Sequence, residues 1–363
     1  MTSNENIFEA LSRVIDPDFK KDLVTLKMVK NVELTEKELR FTIELTTPAC
    51  PLKDYLKSES EKAIREIGFE GEIKIHFTSR VTTRRTDLNL LPGVKNIISV
   101  SSGKGGVGKS TVAVNLAIQL AAQGAKVGLI DADIHGPSVP IMFGLKGARP
   151  EVKEVNGKHF IVPIEKFGVK VLSIGFLVDE RQAVVWRGPM VSSALRQFVT
   201  DCIWGELDYL IIDMPPGTGD IHLTLVQTVP VTGAIIVTTP QDVAVADAKK
   251  AISMYMMPNI NVPIIGIAEN MAFFIPEELP DNKYFIFGKD GGKNLAEEFD
   301  VPFLGQVPLV QSIREGGDRG KPVSTDKDSI TGKAFYDLAQ NTARYIAVRN
   351  ASKDATKKVE IVT

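Results

Sequence analysis

The letters GKGGVGKS, residues 103–110, stand between the apolar run NIISVSS and a stretch with helical spacing. The pattern G-x-x-x-x-G-K-S in that setting is typical of a loop whose backbone N–H groups turn around phosphate oxygens at the start of a helix. Such a loop needs a buried strand that ends, and a helix that begins, at these positions. The motif therefore predicts an α/β fold around a nucleoside-triphosphate site.

The individual loop residues have separate expected roles. We expect Lys109 to reach the β- and γ-phosphates, the Ser110 hydroxyl to bind Mg²⁺, and Thr111 to contact the α-phosphate. The backbone around the phosphates is expected to come from Gly103, Lys104, Gly105, Gly106, Val107 and Gly108.

Two further apolar runs end in carboxylates. In YLIIDMP the apolar residues lead into Asp213. In a chain that also has a phosphate-binding loop, an aspartate at such a strand end is expected near the magnesium ion. KVGLIDAD ends in Asp131 and Asp133, and we expect Asp133 to orient the attacking water, which needs an acceptor in line with the γ-phosphate. An aspartate after a strand is also a common turn or helix cap, so the residues leave this role of Asp133 open.

A second lysine, Lys104, follows the first glycine of the loop. If it pointed at its own phosphates, it would duplicate Lys109. If it reached the nucleotide of a second subunit, it would stabilise transition-state charge in trans and make hydrolysis depend on dimerisation. Spacing alone also allows a solvated loop lysine.

The apolar runs after the loop predict a parallel sheet. NIISVSS, KVGLIDAD, YLIIDMP, GAIIVTTP, VPIIGIAEN and PFLGQVP lack polar alternation, and helix-length segments separate most of them. Strands buried on both faces and joined by helices form right-handed parallel sheets. We predict a mostly parallel sheet flanked by helices over residues 96–348, with a final helix AFYDLAQNTARYIAV and then a polar, mobile tail at 349–363.

Residues 1–80 follow a different pattern. NIFEALSRVI has helical spacing, KELRFTIELTT and GEIKIHF alternate like half-buried strands, and PLKDYLKSESEKAIREIG has the features of a helix that starts at Pro51. We predict a small α+β domain here. Residues 81–95, with Arg84 and Arg85, are predicted as a solvated linker.

Charge and cysteine content exclude several classes of protein. The chain has 43 Lys and Arg against 45 Asp and Glu, a net charge of -2, so no global field attracts nucleic acid or an anionic membrane. Two distant cysteines indicate a reducing compartment. The N-terminus lacks the pattern of a secretory signal, and no apolar run has the length of a membrane span. We predict a cytoplasmic protein that binds neither nucleic acid nor membrane.

The motifs together resemble a known family. KGGVGKST is similar to the deviant phosphate-binding loop of the MinD/ParA/nitrogenase-iron-protein class, in which the first lysine acts across a nucleotide-sandwich dimer. Within that class DADIHGPSVP, VWRGPM, DMPPGTGD and TTPQDVAVADA resemble the Mrp/ApbC family of iron–sulfur cluster carrier ATPases, from residue 96 to about 345. The resemblance implies a homodimer that uses ATP and Mg²⁺ and serves apo iron–sulfur proteins together with cluster-assembly factors.

The resemblance also implies roles for three other residues. Asn270 fits the position that reads the adenine base, and Pro308 lies in the loop that packs against that base. VIDPDFKKDLVTLKMV and TTPACPLKD resemble the small domain of SufT-like iron–sulfur assembly factors, in which the position of Cys50 is the suspected reactive cysteine. Cys50 is a candidate iron–sulfur or reactive thiol, and a helix N-terminus there would lower its pKa. A small buried residue in a tight turn is the alternative.

One departure from the family falls on the chemistry. Members with a cluster site carry a C-x-x-C pair soon after the letters NM, and here NMAFFIPEELPDNKYFIFGKDGG has no cysteine. Two functions stay open: an ATP-hydrolysing carrier, slow and dimer-dependent, that binds clusters and transfers them to apoproteins, or a nucleotide-gated scaffold or adaptor that binds none. The other candidate ligands are expected to be structural, and they are Cys202, His76, His135 and His222.

Overall fold

A computed structural model of the chain describes residues 3–85, 90–133, 136–176, 188–276, 278–279, 281–326 and 328–359. Its strands are β1 (Ile15–Asp16), β2 (Lys21–Asp22), β3 (Val29–Leu34), β4 (Glu38–Leu45), β5 (Glu72–Ser79), β6 (Val94–Ser101), β7 (Val127–Asp131), β8 (Glu151–Val155), β9 (Lys158–Val162), β10 (Ile164–Lys166), β11 (Val169–Ser173), β12 (Leu207–Asp213), β13 (Gly233–Thr238), β14 (Ile264–Glu269) and β15 (Phe303–Gln306). Its helices are α1 (Asn4–Leu11), α2 (Lys53–Glu66), α3 (Lys109–Ala122), α4 (Val139–Met142), α5 (Gly188–Thr200), α6 (Asp220–Thr228), α7 (Asp242–Met256), α8 (Gly291–Glu298), α9 (Gln311–Asp318) and α10 (Ile330–Ser352).

An eight-stranded sheet forms the centre of the larger unit, in the order β10-β11-β7-β12-β6-β13-β14-β15. Its strands are parallel except for the antiparallel pair β10 and β11. β6, which leads into the phosphate-binding loop, lies between β12 and β13. The prediction of a mostly parallel sheet is confirmed, and the carboxyl ends of β6, β7 and β12 meet at one edge.

Helices cover both faces of this sheet, which explains the continuous apolar runs. On β12, Tyr209 and Ile211 belong to the same core as α3 and α10, whereas Leu210 and Ile212 belong to the core of α5, α6, α7 and α8. Successive strand residues point to opposite faces, so a strand covered on both sides needs apolar residues at every position. None of the described helices is long and apolar enough to cross a membrane.

The smaller unit packs α1 and α2 on the sheet β3-β4-β5. β4 lies in the centre, antiparallel to β3 and parallel to β5. The sequence analysis missed β3 because its pairing shifts register between Lys30 and Glu33, where Asn31 has a φ of 49°. This irregularity breaks the period-two pattern by which strands are recognised. α1 ends at Leu11, and Ile15, predicted in the helix, instead lies in β1.

Two other predictions about the path of the chain are wrong. Residue 94, assigned to a linker, starts β6, and Arg85 is buried at 6% exposure. The Arg85 guanidinium donates hydrogen bonds to the carbonyls of Leu91 and Val94, because a buried cation needs acceptors. The described part of the tail, up to Val359, is also held, since α10 continues to Ser352 and Val359 N donates to the Val226 carbonyl at 3.0 Å.

The turn between β8 and β9 shows a signal that the sequence analysis overlooked. The two strands form an antiparallel hairpin around Asn156 and Gly157, whose φ angles are 53° and 77°. Asn-Gly is favoured in two-residue hairpin turns because both positions need positive φ.

The loop at residues 46–51 joins the two units. The hydroxyls of Thr47 and Tyr209 form a buried hydrogen bond of 3.1 Å, and Ala49 lies in the core that contains α3. Beside them Arg344 Nε of α10 donates to Asp18 Oδ1 at 2.6 Å. The small unit is therefore bound to the end of β12 opposite its carboxyl edge.

We expect Tyr209→Phe to lower the free energy of unfolding by about 1 kcal/mol, the usual net contribution of one buried hydrogen bond. The loss is moderate because Thr47 Oγ1 still accepts from Ala49 N at 3.2 Å. Urea denaturation measures it. Tyr336→Phe, on the exposed face of α10, is the matched control and should change stability by less than about 0.5 kcal/mol. Equal stability of the Tyr209→Phe variant and the wild type would contradict the bond between the units.

Candidate nucleotide-binding site

The loop between β6 and α3 has the backbone that a phosphate cradle needs. Gly106 and Gly108 have φ angles of 83° and 79°, which side-chain-bearing residues rarely adopt. Gly103 lies against α7, where a Cβ would come within 2.1 Å of the Asp247 backbone. Glycine is thus required at these positions. α3 begins at Lys109, directly after the loop.

Lys109 is the centre of the site and is only 6% exposed. Its Nζ donates to Asp213 Oδ1 at 2.6 Å and to Ser110 Oγ at 3.3 Å, and lies 3.7 Å from Asp133 Oδ2. The fold therefore brings together four of the five side chains that the sequence analysis assigned to phosphate, metal and water, Thr111 being the fifth. The lysine is buried with charge partners, as a buried ammonium must be.

The two carboxylate oxygens of Asp213 have different surroundings. Its Oδ2 is buried and has no hydrogen-bond partner among the described residues, while Oδ1 is paired with Lys109. Carboxylate and hydroxyl oxygens are the ligands that Mg²⁺ prefers, usually few in number beside phosphate and water. Asp213 together with the Ser110 hydroxyl therefore fits a magnesium ion.

Asp131 lies beside Asp213 in register, where β7 and β12 end. It accepts hydrogen bonds from Asp133 N, Val139 N and Ser173 Oγ at 3.2, 3.3 and 2.9 Å. Burial and the charge of Asp213 raise the pKa of the Asp131 carboxyl to about 8. Burial also raises the pKa of Asp213, against the opposing effect of Lys109, so the ion pair keeps Asp213 the charged member. Asp131 thus anchors the segment that presents Asp133.

A cleft of about 330 Å³ opens beside the loop. Asn270 Nδ2 donates to the Val107 carbonyl at 2.8 Å, which fixes the amide against the phosphate-binding loop. Thr111, Asn270 and Pro308, predicted separately from the sequence, all line this cleft. Its other lining residues are Ser138, Ile141, Met142, Met271, Leu309, Val310, Ile313, Arg314, Gly317 and Asp318.

A second cleft, of about 290 Å³, opens on the side of Asp133. Its lining residues are Asp133, Gly136, Pro215, Pro216, Gly219, Asp220, Ile221 and His222. Lys104 is half-buried at the start of the loop, and its carbonyl accepts from Ser102 Oγ at 2.9 Å. His135 and residues 185–187 of the motif VWRGPM lie outside the described residues.

The prediction that a helix N-terminus lowers the pKa of Cys50 is wrong. Burial, with smaller contributions from Asp16 and Asp18, raises the pKa of that thiol to about 11. α2 begins only at Lys53, and Cys50 lines a cavity of about 10 Å³ at the junction of the two units.

The two cysteines lie apart in the fold. Cys202 is buried in the core of the larger unit, while Cys50 packs against the core of the smaller one. Within the described ranges, no group of three or more His, Cys, Asp or Glu side chains is placed to hold a metal ion.

The raised pKa of Asp131 predicts a pH dependence of stability. The folded state keeps a proton that the unfolded state releases above about pH 4, so the free energy of unfolding should fall as pH rises toward about 8, by up to about 1.4 kcal/mol per pH unit. Urea denaturation from about pH 5 to about pH 8 measures the slope. Asp131→Asn should flatten it, and Asp300→Asn, at an exposed position, should not. An unchanged slope in Asp131→Asn would contradict the assignment.

Comparison with known proteins gives matches over both units. Residues 93–343 match the family described as NUBPL iron-transfer P-loop NTPase, and residues 4–75 match the one described as iron-sulfur cluster assembly protein. The iron-sulfur cluster carrier protein of Synechocystis is 44% identical over 351 residues, which cover 96% of this chain and 99% of the relative. That of Deinococcus radiodurans is 45% identical over 353 residues, covering 96% and 97%.

A chloroplastic Fe-S cluster assembly factor of Arabidopsis thaliana is 42% identical over 344 residues, covering 93% of this chain and 63% of that protein. A solved nucleotide-binding protein from Archaeoglobus fulgidus, in complex with ADP, superposes with a TM-score of 0.57 at 37% identity, covering 66% of this chain and 92% of that one. The chain belongs to the NUBPL iron-transfer P-loop NTPase family, with an iron–sulfur cluster assembly domain ahead of the NTPase unit.

Proposed function

We propose that this chain is a dimeric, magnesium-dependent ATPase that serves the delivery of iron–sulfur clusters to apoproteins. The observation that carries the ATPase part is the buried contact of Lys109 with Asp213, whose second oxygen has no partner among the described residues. In P-loop NTPases the lysine of this loop contacts the β- and γ-phosphates and an aspartate at a strand end holds Mg²⁺, and the Lys109–Asp213 pair has this placement.

In this proposal, nucleotide binding redistributes the partners of the buried charges. Lys109 would turn from Asp213 to the β- and γ-phosphates, and Asp213 and Ser110 would hold Mg²⁺, which would supply charge neutralisation on the phosphates. Asp133, whose side chain is 16% exposed at the wall of the second cleft, orients the attacking water. Asp213, Ser110 and Asp133 already lie beside Lys109 in the fold, so these roles need no large rearrangement.

The bond between Asn270 and the loop supports a preference for adenine. Asn270 Nδ2 donates one of its two hydrogens to Val107, which leaves Oδ1 as an acceptor and the second hydrogen as a donor toward a base. An acceptor there suits the exocyclic amino group of adenine and opposes the carbonyl that guanine carries at the same position. Pro308 contributes an apolar surface of the same cleft.

We assign Lys104 to the nucleotide of the second subunit. Lys109 already occupies the buried position between the carboxylates and the phosphates, so a second lysine there would be redundant. Gly105 and Gly106, which follow Lys104, are exposed, so this part of the loop is accessible to another molecule. Hydrolysis would then require two subunits facing each other.

Variants of the two lysines test this assignment. Lys109→Ala should abolish nucleotide binding, whereas Lys104→Ala should keep it and lose at least about 10³-fold in hydrolysis, as other arginine or lysine fingers do. A mixture of the two variants should regain activity, since the Lys109→Ala subunit still supplies Lys104. Fluorescent-nucleotide titration and phosphate release measure both steps. Lys126→Ala, at an exposed position on the amino side of β7, is the control. Wild-type hydrolysis in Lys104→Ala, or no recovery in the mixture, would refute the role in trans.

The cargo part of the proposal rests on the relatives, several of which are named iron-sulfur cluster carrier proteins. A second candidate function is a nucleotide-gated scaffold that binds no cluster. It is favoured by the separation of Cys50 and Cys202 into two cores and by the lack of cysteine in residues 270–292. Clusters usually need four thiolate ligands, and each subunit has only two cysteines.

Anaerobic cluster reconstitution separates the two candidates. A carrier that uses Cys50 should hold iron and sulfide in the wild type and in Cys202→Ser, lose them in Cys50→Ser, and pass them to an apo acceptor in a manner that ATP changes. Iron and sulfide counts per dimer and activation of the acceptor measure this. A wild type that holds no transferable cluster would support the scaffold, with the same ATPase behaviour.

A further inference from the structure

His222 is a buried polar residue that neither the phosphate nor the metal chemistry uses. It is the third residue of α6, the helix that follows the loop after Asp213, and it is 1% exposed. Its side chain belongs to the wall of the cleft that also contains Asp133 and Pro216. The histidine is therefore adjacent to the position assigned to the attacking water.

Neither ring nitrogen of His222 has a partner at good hydrogen-bond geometry among the described residues, although the Gly219 carbonyl lies beside the ring. The neighbouring aromatic residue does not supply one, because the Tyr255 ring meets the imidazole edge-on at a centroid distance of 6.3 Å. The Tyr255 hydroxyl is engaged with Ser99 and Ser101 at 2.8 and 2.7 Å. Buried polar atoms in native proteins are nearly always paired, so an unpaired imidazole requires an explanation.

The protonation state of the ring determines which groups it can pair with. Burial lowers the pKa of His222 to about 4, with the nearby Gly219 carbonyl opposing the shift, so the imidazole is neutral at physiological pH. A neutral imidazole offers one donor and one acceptor. It is suited to pairing with backbone N–H and C=O groups or with water.

The loop before α6 has the freedom to provide such groups. Gly217 and Gly219 stand in open space, since a Cβ on either would meet no atom within 4 Å. The same loop is tied to the phosphate-binding loop, because Gly217 N donates to the Ser102 carbonyl at 2.9 Å. The two loops are therefore in direct contact.

We propose that His222 is a positioning residue for hydrolysis, which pairs with the closed form of the loop at residues 214–219 once nucleotide is bound. The inference rests on the proposed ATPase function. Among the described residues the imidazole has no partner, and closure of the loop over bound phosphates would supply one. The loop then holds the wall of the cleft in which Asp133 orients water.

The test compares stability and catalysis in the same variants. His222→Phe removes both nitrogens and keeps an aromatic ring of similar size. It should leave the urea midpoint of the nucleotide-free protein unchanged or raised, since it removes unpaired polar atoms. It should lower kcat for ATP at least about tenfold, within the range of general positioning effects, with KM changed less than about twofold. His222→Gln, which keeps a donor and an acceptor, should recover most of kcat. His76→Phe, at an exposed position on β5, is the matched control.

Three results would overturn the inference. One is wild-type kcat in His222→Phe. Another is a lowered urea midpoint of the nucleotide-free variant with a proportionate loss of activity, which would show that the ring is structural. The third result concerns the urea midpoint in the presence of ATP. It can be measured even if the wild type does not hydrolyse ATP, an outcome that would refute the ATPase proposal but not the role of His222. ATP should then still raise the urea midpoint less in His222→Phe than in the wild type, and an equal rise would refute the role of His222.

Discussion

The ion pair between Lys109 and Asp213 is the interaction on which the rest of the site depends. The parallel sheet brings Asp131 and Asp213 side by side at 0% exposure, where two charged carboxylates could not both persist. Lys109 compensates one charge, and the other carboxyl keeps its proton. The same lysine starts α3, so the charge balance of the strand ends is set by the loop that binds phosphate. Lys109 therefore both balances the buried carboxylates and belongs to the phosphate-binding loop.

The fold of the larger unit was predictable because its strands are buried on both faces and its loop motif has strict backbone demands. The site followed from the same logic, since parallel strands deliver their terminal acids to one edge. What the sequence analysis missed has local physical causes. The register shift in β3 hides its alternation of polar and apolar residues. Arg85 lies in a polar segment with the composition of a linker, although its guanidinium is buried among carbonyls. The pKa of Cys50 depends on burial of the thiol in the folded chain, which no local pattern records.

The absence of cysteine from residues 270–292 gives the two units unequal parts in any cargo chemistry. The residues proposed to bind phosphate, metal and base all lie in the NTPase unit, whereas its own Cys202 is enclosed in apolar side chains. Cys50 belongs to the smaller unit, is half-buried, and lines a small cavity together with Arg344 and Ala347 of the larger one. The thiol therefore lies at the junction of the two units.

β12 joins this junction to the nucleotide. Tyr209, bonded to Thr47, and Asp213, bonded to Lys109, are on the same strand and separated by about 13 Å at the usual rise of about 3.3 Å per residue. Neighbouring strands are paired with β12 on both sides along this length, so it behaves as a stiff rod that cannot stretch. Because these pairings also hold β12 against sliding, the strand fixes the spacing between the phosphate-binding loop and the loop that carries Cys50.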